Sequence, residues 1–105
     1  MTPILGVLAS QITGHLSVAF SVEALVVAGG GSGGADGNGA TGAGGGAGGL
    51  SYNAAKSLTT GNSYSLTIGA GGASPSSGTN KGSDSTFDNI ISNGGGGGSF
   101  FNTAT

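Results

Sequence analysis

No cysteine, no tryptophan and no arginine occur in this chain, whose 105 residues include only 2 prolines and 6% charged residues. The absence of cysteine removes disulfides and thiolate metal sites together, and leaves the redox compartment open. Two lysines against four acids give a formal net charge of −2. Such a chain has no basic footprint for a phosphate backbone or an anionic membrane surface, so nucleic acid is not an expected partner. Aromatic residues are also scarce, at 6%.

Glycine takes the place of all of these, with 26 residues. It has no side chain to bury, so a chain of this length collects at most one small apolar core, drawn from outside the glycine runs. Further stabilisation has to come from backbone hydrogen bonds or from other chains, and an obligate homo-oligomer is expected.

Residues 1–21 are apolar and uncharged. Neither a signal peptide nor a span is expected from them: no positive residue precedes Lys56, and Ser10, Gln11, Thr13, His15 and Ser17 interrupt the apolar run, so no membrane insertion is expected. We read residues 1–21 as a docking or packing segment. Ile4, Leu5, Leu8 and Ile12 have helical spacing, while Pro3, Gly6 and Gly14 favour an extended path, and both conformations stay open.

From Ser21 the chain settles into a grammar. Val22 to Ala28 is a β-prone run that enters Gly29 directly; Tyr64, Leu66 and Ile68 alternate with polar residues before Gly69; Ile90 and Ile91 precede the glycines from Gly94 to Gly98. Three apolar strands thus feed three glycine runs. Their starts are unevenly spaced, which excludes a fixed-period solenoid. Lys56 to Thr59 and Ser63 to Ile68 flank Thr60, Gly61 and Asn62 as a hairpin would, and Ser74 to Asp84 reads as a loop. The organisation expected is a segment 1–21, a glycine-rich domain 22–98 and a tail 99–105.

The stretch from Gly29 to Gly49 carries the most information when written in threes. One column reads Gly30, Gly33, Asp36, Gly39, Gly42, Gly45, Gly48, and a second reads Gly31, Gly34, Gly37, Ala40, Ala43, Gly46, Gly49. The third, Gly29, Ser32, Ala35, Asn38, Thr41, Gly44, Ala47, is permissive. That is the pattern of a three-residue-per-turn helix of polyproline II type with two faces against neighbouring backbones and one facing outward. Collagen requires abundant proline and is excluded; silk-like packing requires a period of two and fails. Ordering about twenty such residues costs on the order of 20–40 kcal/mol, so a lone tract would be a disordered linker, and an ordered one has to be bundled with others. Asp36, Gly37, Asn38 and Gly39 form a turn signal that would fold the first tract back on itself.

Sharper chemical readings fail. Gly29, Gly31 and Gly34 match a dinucleotide-binding fingerprint, but no helix can follow through glycine and no acid lies at the required distance. His15 is the sole histidine, with no nucleophile and base arranged around it. Gly33, Gly34 and Asp36 only partly match a calcium-binding glycine-aspartate repeat, and Asp84 and Asp88 lie far away in sequence. Tyr52, Tyr64, Phe87, Phe100 and Phe101 could stack on sugars but are read as core or interface anchors. Glu23, Lys56 and Lys81 are read as solvated charges. No enzyme activity, cofactor or metal is expected.

The runs "VEALVVAGGGSGG", "GAGGGAGGL", "SYSLTIGAGGA" and "SDSTFDNIISNGGGGG" resemble the glycine-rich domain of bacteriophage tail fibres, adhesins and related virion proteins, over about residues 22–98. The opening "TPILGVLASQITGHL" is similar to the start of phage structural proteins. This resemblance implies short strands feeding packed polyglycine II helices, a mainly irregular and β fold with no Rossmann or helical-bundle core. It implies a non-enzymatic virion component at the virion surface or tail, or in the extracellular space, with other virion proteins and a host cell-surface receptor as partners. Packing would fall to Gly30, Gly33, Gly39, Gly42, Gly45 and Gly48 with Gly31, Gly34, Gly46 and Gly49. Receptor contact would fall to the loop residues Ser76, Ser77, Thr79, Asn80 and Lys81. A small closed oligomer, commonly a trimer, suits a fibre; the alternative is a self-assembling extracellular filament subunit, whose contacts do not close.

Overall fold

The computed structural model of the chain describes residues 17–37, 42–76 and 78–100. The reading of the segment before Ser17, together with His15, Gly39, Ser77 and Phe101, lies outside the described residues. The described residues form strands and irregular backbone, with no helix among them, so none is long and apolar enough to cross a membrane. In chain order the strands are β1 (Ala19–Val27), β2 (Leu50–Thr59), β3 (Leu66–Thr67), β4 (Ser85–Phe87) and β5 (Ile90–Ser92). β1 pairs with β2, and β3, β4 and β5 form a second, antiparallel sheet in that order.

Two compact units divide the chain. The smaller comprises residues 1–24 and 53–63. There the β1–β2 pair is closed at its end by Thr60, whose amide donates to the Val18 carbonyl at 3.0 Å and whose Oγ1 accepts from the Val18 amide at 2.9 Å. A turn at Thr60 and Gly61 does follow β2, with Gly61 at φ 84°, a conformation that requires glycine. However, the hairpin expected between Lys56–Thr59 and Ser63–Ile68 does not form. β2 takes β1 as its partner because β1 offers nine residues of ladder while β3 offers two. Lys56, read as solvated, is buried, between exposed Ala55 and Ser57 of β2.

The larger unit comprises residues 25–52 and 64–105. Among its described residues the buried hydrophobic ones are Val26 and Ala28, two small side chains, so side-chain burial is not what organises them. Backbone hydrogen bonds do so instead, through five extended tracts: tract 1 (28–35), tract 2 (43–49), tract 3 (69–72), tract 4 (78–83) and tract 5 (93–99). Ala28, Gly31 and Gly34 donate to Gly49, Gly46 and Ala43 at 2.8–2.9 Å, which makes tracts 1 and 2 antiparallel and shows the fold-back expected after Asp36. Gly29, Ser32 and Ala35 donate to Ser83, Asn80 and Gly78 of tract 4, which is likewise antiparallel to tract 1. Tract 5 reaches tract 1 through Gly95 and Gly98, whose amides donate to Gly29 and Ser32, and it accepts from Ala43, Gly46 and Gly49 of tract 2. Gly72 of tract 3 donates to Gly30, Ser83 donates to Ala70, and Gly82 donates to Gly95.

Between tracts 1, 2 and 5 a given neighbour is therefore met at every third residue, whereas a β ladder meets a neighbour at every second; Ala35 and Gly78, which bond reciprocally, form a β-bridge. These pairings fit two layers, tracts 2, 1 and 3 lying over tracts 5 and 4. Tract 4 lies in the stretch read as a loop. It escapes a glycine search because Thr79, Asn80, Lys81 and Ser83 supply most of it. Along the chain β1 runs into tract 1, tract 2 runs into β2, and β5 runs into tract 5.

Candidate functional site

The feature with most built geometry is the contact surface between the tracts. Adding a Cβ to each glycine in turn shows which positions require one. At Gly42, Gly45 and Gly48 it would overlap the carbonyl groups of Gly34, Gly31 and Ala28 across the tract 1–tract 2 contact. Gly44 has nothing within 4 Å. At Gly46 the nearest atom is the Gly96 oxygen at 3.3 Å, a tight contact with tract 5, and at Gly49 it is the Asn93 oxygen at 2.9 Å, close enough that the backbone would have to shift. In tract 1, Gly31 and Gly34 would collide with Gly96 and Ser99 of tract 5, and Gly29 with Ala70 of tract 3. Gly30 and Gly33 differ from the expectation for their column: their nearest neighbours stand at 3.4 and 3.6 Å, ordinary contact distances for a side chain. Ser32, assigned to the outward column, is buried.

The reason is the reversal between tracts 1 and 2. A triplet frame keeps its phase only along one continuous helix, and the chain turns after Asp36, so the inward face of tract 1 need not share the frame of tract 2. In tract 2 the frame places Gly42, Gly45 and Gly48 inward and Gly44 outward. In tract 1 the outward row is Gly30 and Gly33.

Polar side chains complete the lattice where the backbone cannot. Ser92 Oγ donates to the Val26 carbonyl at 2.7 Å, fastening β5 beneath β1. Ser85, at 1% exposure the most buried side chain, accepts from the Gly69 amide at 2.8 Å. Ser32 and Asn80 exchange bonds: the Ser32 amide donates to the Asn80 carbonyl and the Asn80 amide to Ser32 Oγ. Asp84 Oδ1 accepts from the Gly94 amide at 2.8 Å, at the entry to tract 5. No buried side-chain polar atom among the described residues lacks a partner. Sequence reading missed these residues, although the serines framing Asp84 in Ser83-Asp84-Ser85 were a signal of local backbone capping. Ser85→Ala should leave the Gly69 amide unpaired and cost about 1–3 kcal/mol, read as a lower urea midpoint. An unchanged midpoint would mean that the bond contributes nothing.

The receptor-loop residues divide. Ser76, Thr79, Asn80 and Lys81 are exposed. Asn80 is nevertheless committed to the scaffold, its Nδ2 donating to the Ala73 carbonyl at 2.8 Å, and the Thr79 side chain lies against Gly97. The aromatic residues are scattered: Tyr52 and Phe100 are exposed, Tyr64 and Phe87 half-buried. At the dinucleotide-like glycines, the amides a phosphate would need already donate to Ser83, Gly46 and Ala43. Among the described residues no group of three His, Asp or Glu side chains could hold a metal ion.

A family model described as a glycine-rich domain matches residues 10–105. No curated protein and no solved structure matches the chain.

Proposed function

We propose that this chain, which belongs to the glycine-rich domain family, is a non-enzymatic virion component, a tail-fibre or appendage part whose scaffold is a bundle of polyglycine II helices. The observation that carries the scaffold reading is the recurrence of backbone hydrogen bonds at every third residue between tracts 1, 2 and 5. A three-residue-per-turn helix has no internal hydrogen bonds and offers its amides and carbonyls to several neighbours in rotation, which is the pattern these tracts follow. Glycine is required where two backbones meet, and the collisions at Gly31, Gly34, Gly45 and Gly48 supply that requirement. The virion assignment rests on the resemblance of residues 22–98 to fibre and adhesin domains. A chain so poor in buried hydrophobic side chains suits a shaft that gains stability from repetition and from its own copies.

In this reading the protein works at the virion surface as a closed homo-oligomer alongside other virion proteins, and Ser76, Thr79 and Lys81 are available to a host receptor. Electron microscopy of the purified full chain, with binding to candidate host cells, tests it. Closed particles of one size and cell binding reduced by Lys81→Ala are expected. Open filaments of variable length would favour the filament subunit, and closed particles whose cell binding ignores Thr79 and Lys81 would remove the receptor role.

A further inference from the structure

We infer that the larger unit carries a preformed docking face for a second copy of this chain, on the outward side of the β1–β2 ribbon and of the tracts that continue it. At the end of β1 and the start of tract 1 the buried residues Ala24, Val26 and Ala28 alternate with Leu25 and Val27, which are 60% and 52% exposed. The Ala28 amide donates to the Gly49 carbonyl, so Gly49 lies opposite Ala28. By antiparallel register Leu50 then stands opposite Val27, and Tyr52 opposite Leu25. Leu50 and Tyr52 are 64% and 59% exposed. β5 covers the other side, where Ser92 Oγ reaches the Val26 carbonyl and Ser51 Oγ the Ile91 carbonyl. All four large apolar side chains therefore share the uncovered side of the ribbon, while the inner side holds alanine, valine and serine.

The same side runs on into the tract layer. Gly33 and Gly44 meet no tract backbone closer than ordinary contact, and their amides find no acceptor among the described residues. An extended backbone with a row of unpaired donors is a template for another chain. No charged residue lies between Leu25 and Ala35 or between Gly42 and Tyr52, so nothing there resists burial by charge desolvation.

The occupant follows from shape and size. A glycine backbone can be approached to hydrogen-bonding distance only by a surface that is itself nearly free of side chains, and this face is such a surface. Two copies related by a twofold axis would place ribbon against ribbon and tract against tract, an isologous contact. The four side chains expose roughly 400 Å². Tracts 1 and 2, each about 20 Å long, and tract 3, about 12 Å long, add roughly 250 Å² at roughly 5 Å of width each. The sum approaches the ~800 Å² per partner of a stable interface.

The inference rests on the layered scaffold proposed above, and its test separates the two. The full chain is measured by sedimentation equilibrium beside Val27→Lys, Leu50→Lys and Gly44→Val, with Ile91→Lys as a control on an exposed residue of the other sheet. We expect wild-type pairs at micromolar concentration, at least about tenfold weaker association in the three face variants, and no change in the control. Circular dichroism at dilute concentration establishes that each variant is folded; because Gly44 has open space, Gly44→Val keeps the test usable should a lysine variant misfold. A wild-type monomer at about 100 μM, or equal weakening by Ile91→Lys, would overturn the docking face. Failure of the layered scaffold would show elsewhere, in a Gly45→Val chain that melts like wild type.

Discussion

Gly45→Val should destabilise the larger unit by on the order of 3–5 kcal/mol, or abolish folding, while Gly44→Val in the same triplet should leave unfolding of the dilute chain nearly unchanged. A Cβ at Gly45 would overlap the carbonyl oxygens of Gly31 and Ser32, so tract 2 has to move away from tract 1. That movement lengthens the bonds from Gly31 to Gly46 and from Gly34 to Ala43 together, since both flank the site. Each contributes about 0.5–1.5 kcal/mol net, and forced overpacking adds about 1–3 kcal/mol. A domain holds only about 5–15 kcal/mol in total, so the loss is a large share of it. At Gly44 nothing lies within 4 Å, so the added side chain meets solvent. Gly44→Ser and Gly45→Ser separate position from size. Thermal unfolding that ranks the four variants by side-chain volume alone, with no dependence on position, would show that the tract is a flexible linker and not a packed helix.

How far the sequence could be read depended on whether a signal was local. β1 was visible because Val22 to Ala28 is an uninterrupted β-prone run, and tract 5 because Gly94 to Gly98 is an unbroken glycine run entered from Ile90 and Ile91. The fold-back of tract 1 was carried by Asp36-Gly37-Asn38-Gly39, whose chemistry is that of a turn. Pairing was not local. Nothing in Lys56 to Thr59 shows that its ladder lies with Ala19–Val27 and not with the neighbouring Ser63 to Ile68, because partner choice depends on ladder length and on what each face covers. Tract 4 was hidden for a related reason. A tract of this kind needs glycine only where a backbone presses on it, as at Gly82 against Gly29, and Asn80 and Ser83 serve equally where they bond to a neighbour.

The buried serines show the same limit from the side of composition. Ser85 and Ser92 look like ordinary strand-edge polar residues, and only the layered stacking turns them inward to meet the Gly69 amide and the Val26 carbonyl. An interior made of backbone presents donors and acceptors where a conventional core presents methyl groups. Small hydroxyls can fill it, whereas leucine and isoleucine cannot. This accounts for the inverted distribution of the large apolar residues, with Leu25, Leu50, Leu66 and Ile68 all exposed.

In tract 1 the deciding comparison is Gly31→Ala against Gly33→Ala, two identical substitutions two residues apart. The added methyl at Gly31 would collide with the Gly96 carbonyl, a backbone group held in place because it also accepts from the Gly46 amide. Neither tract can yield without breaking that bond and the Gly31 bond to Gly46, so a loss of about 2–4 kcal/mol is expected. At Gly33 the nearest atom, the Ala43 oxygen, is 3.6 Å away, and the backbone is not in the left-handed region that only glycine enters readily. There alanine restricts the unfolded chain without straining the folded one, which should be neutral or stabilising by about 0.4–1 kcal/mol. A single continuous triplet frame through residues 29–49 makes both positions closed and forecasts two losses of similar size. The layered arrangement, with its phase reset at the reversal, forecasts opposite signs. Urea titration of the two variants at equal concentration decides between them, and a loss at Gly33 as large as that at Gly31 would restore the continuous frame and remove the outward row from tract 1.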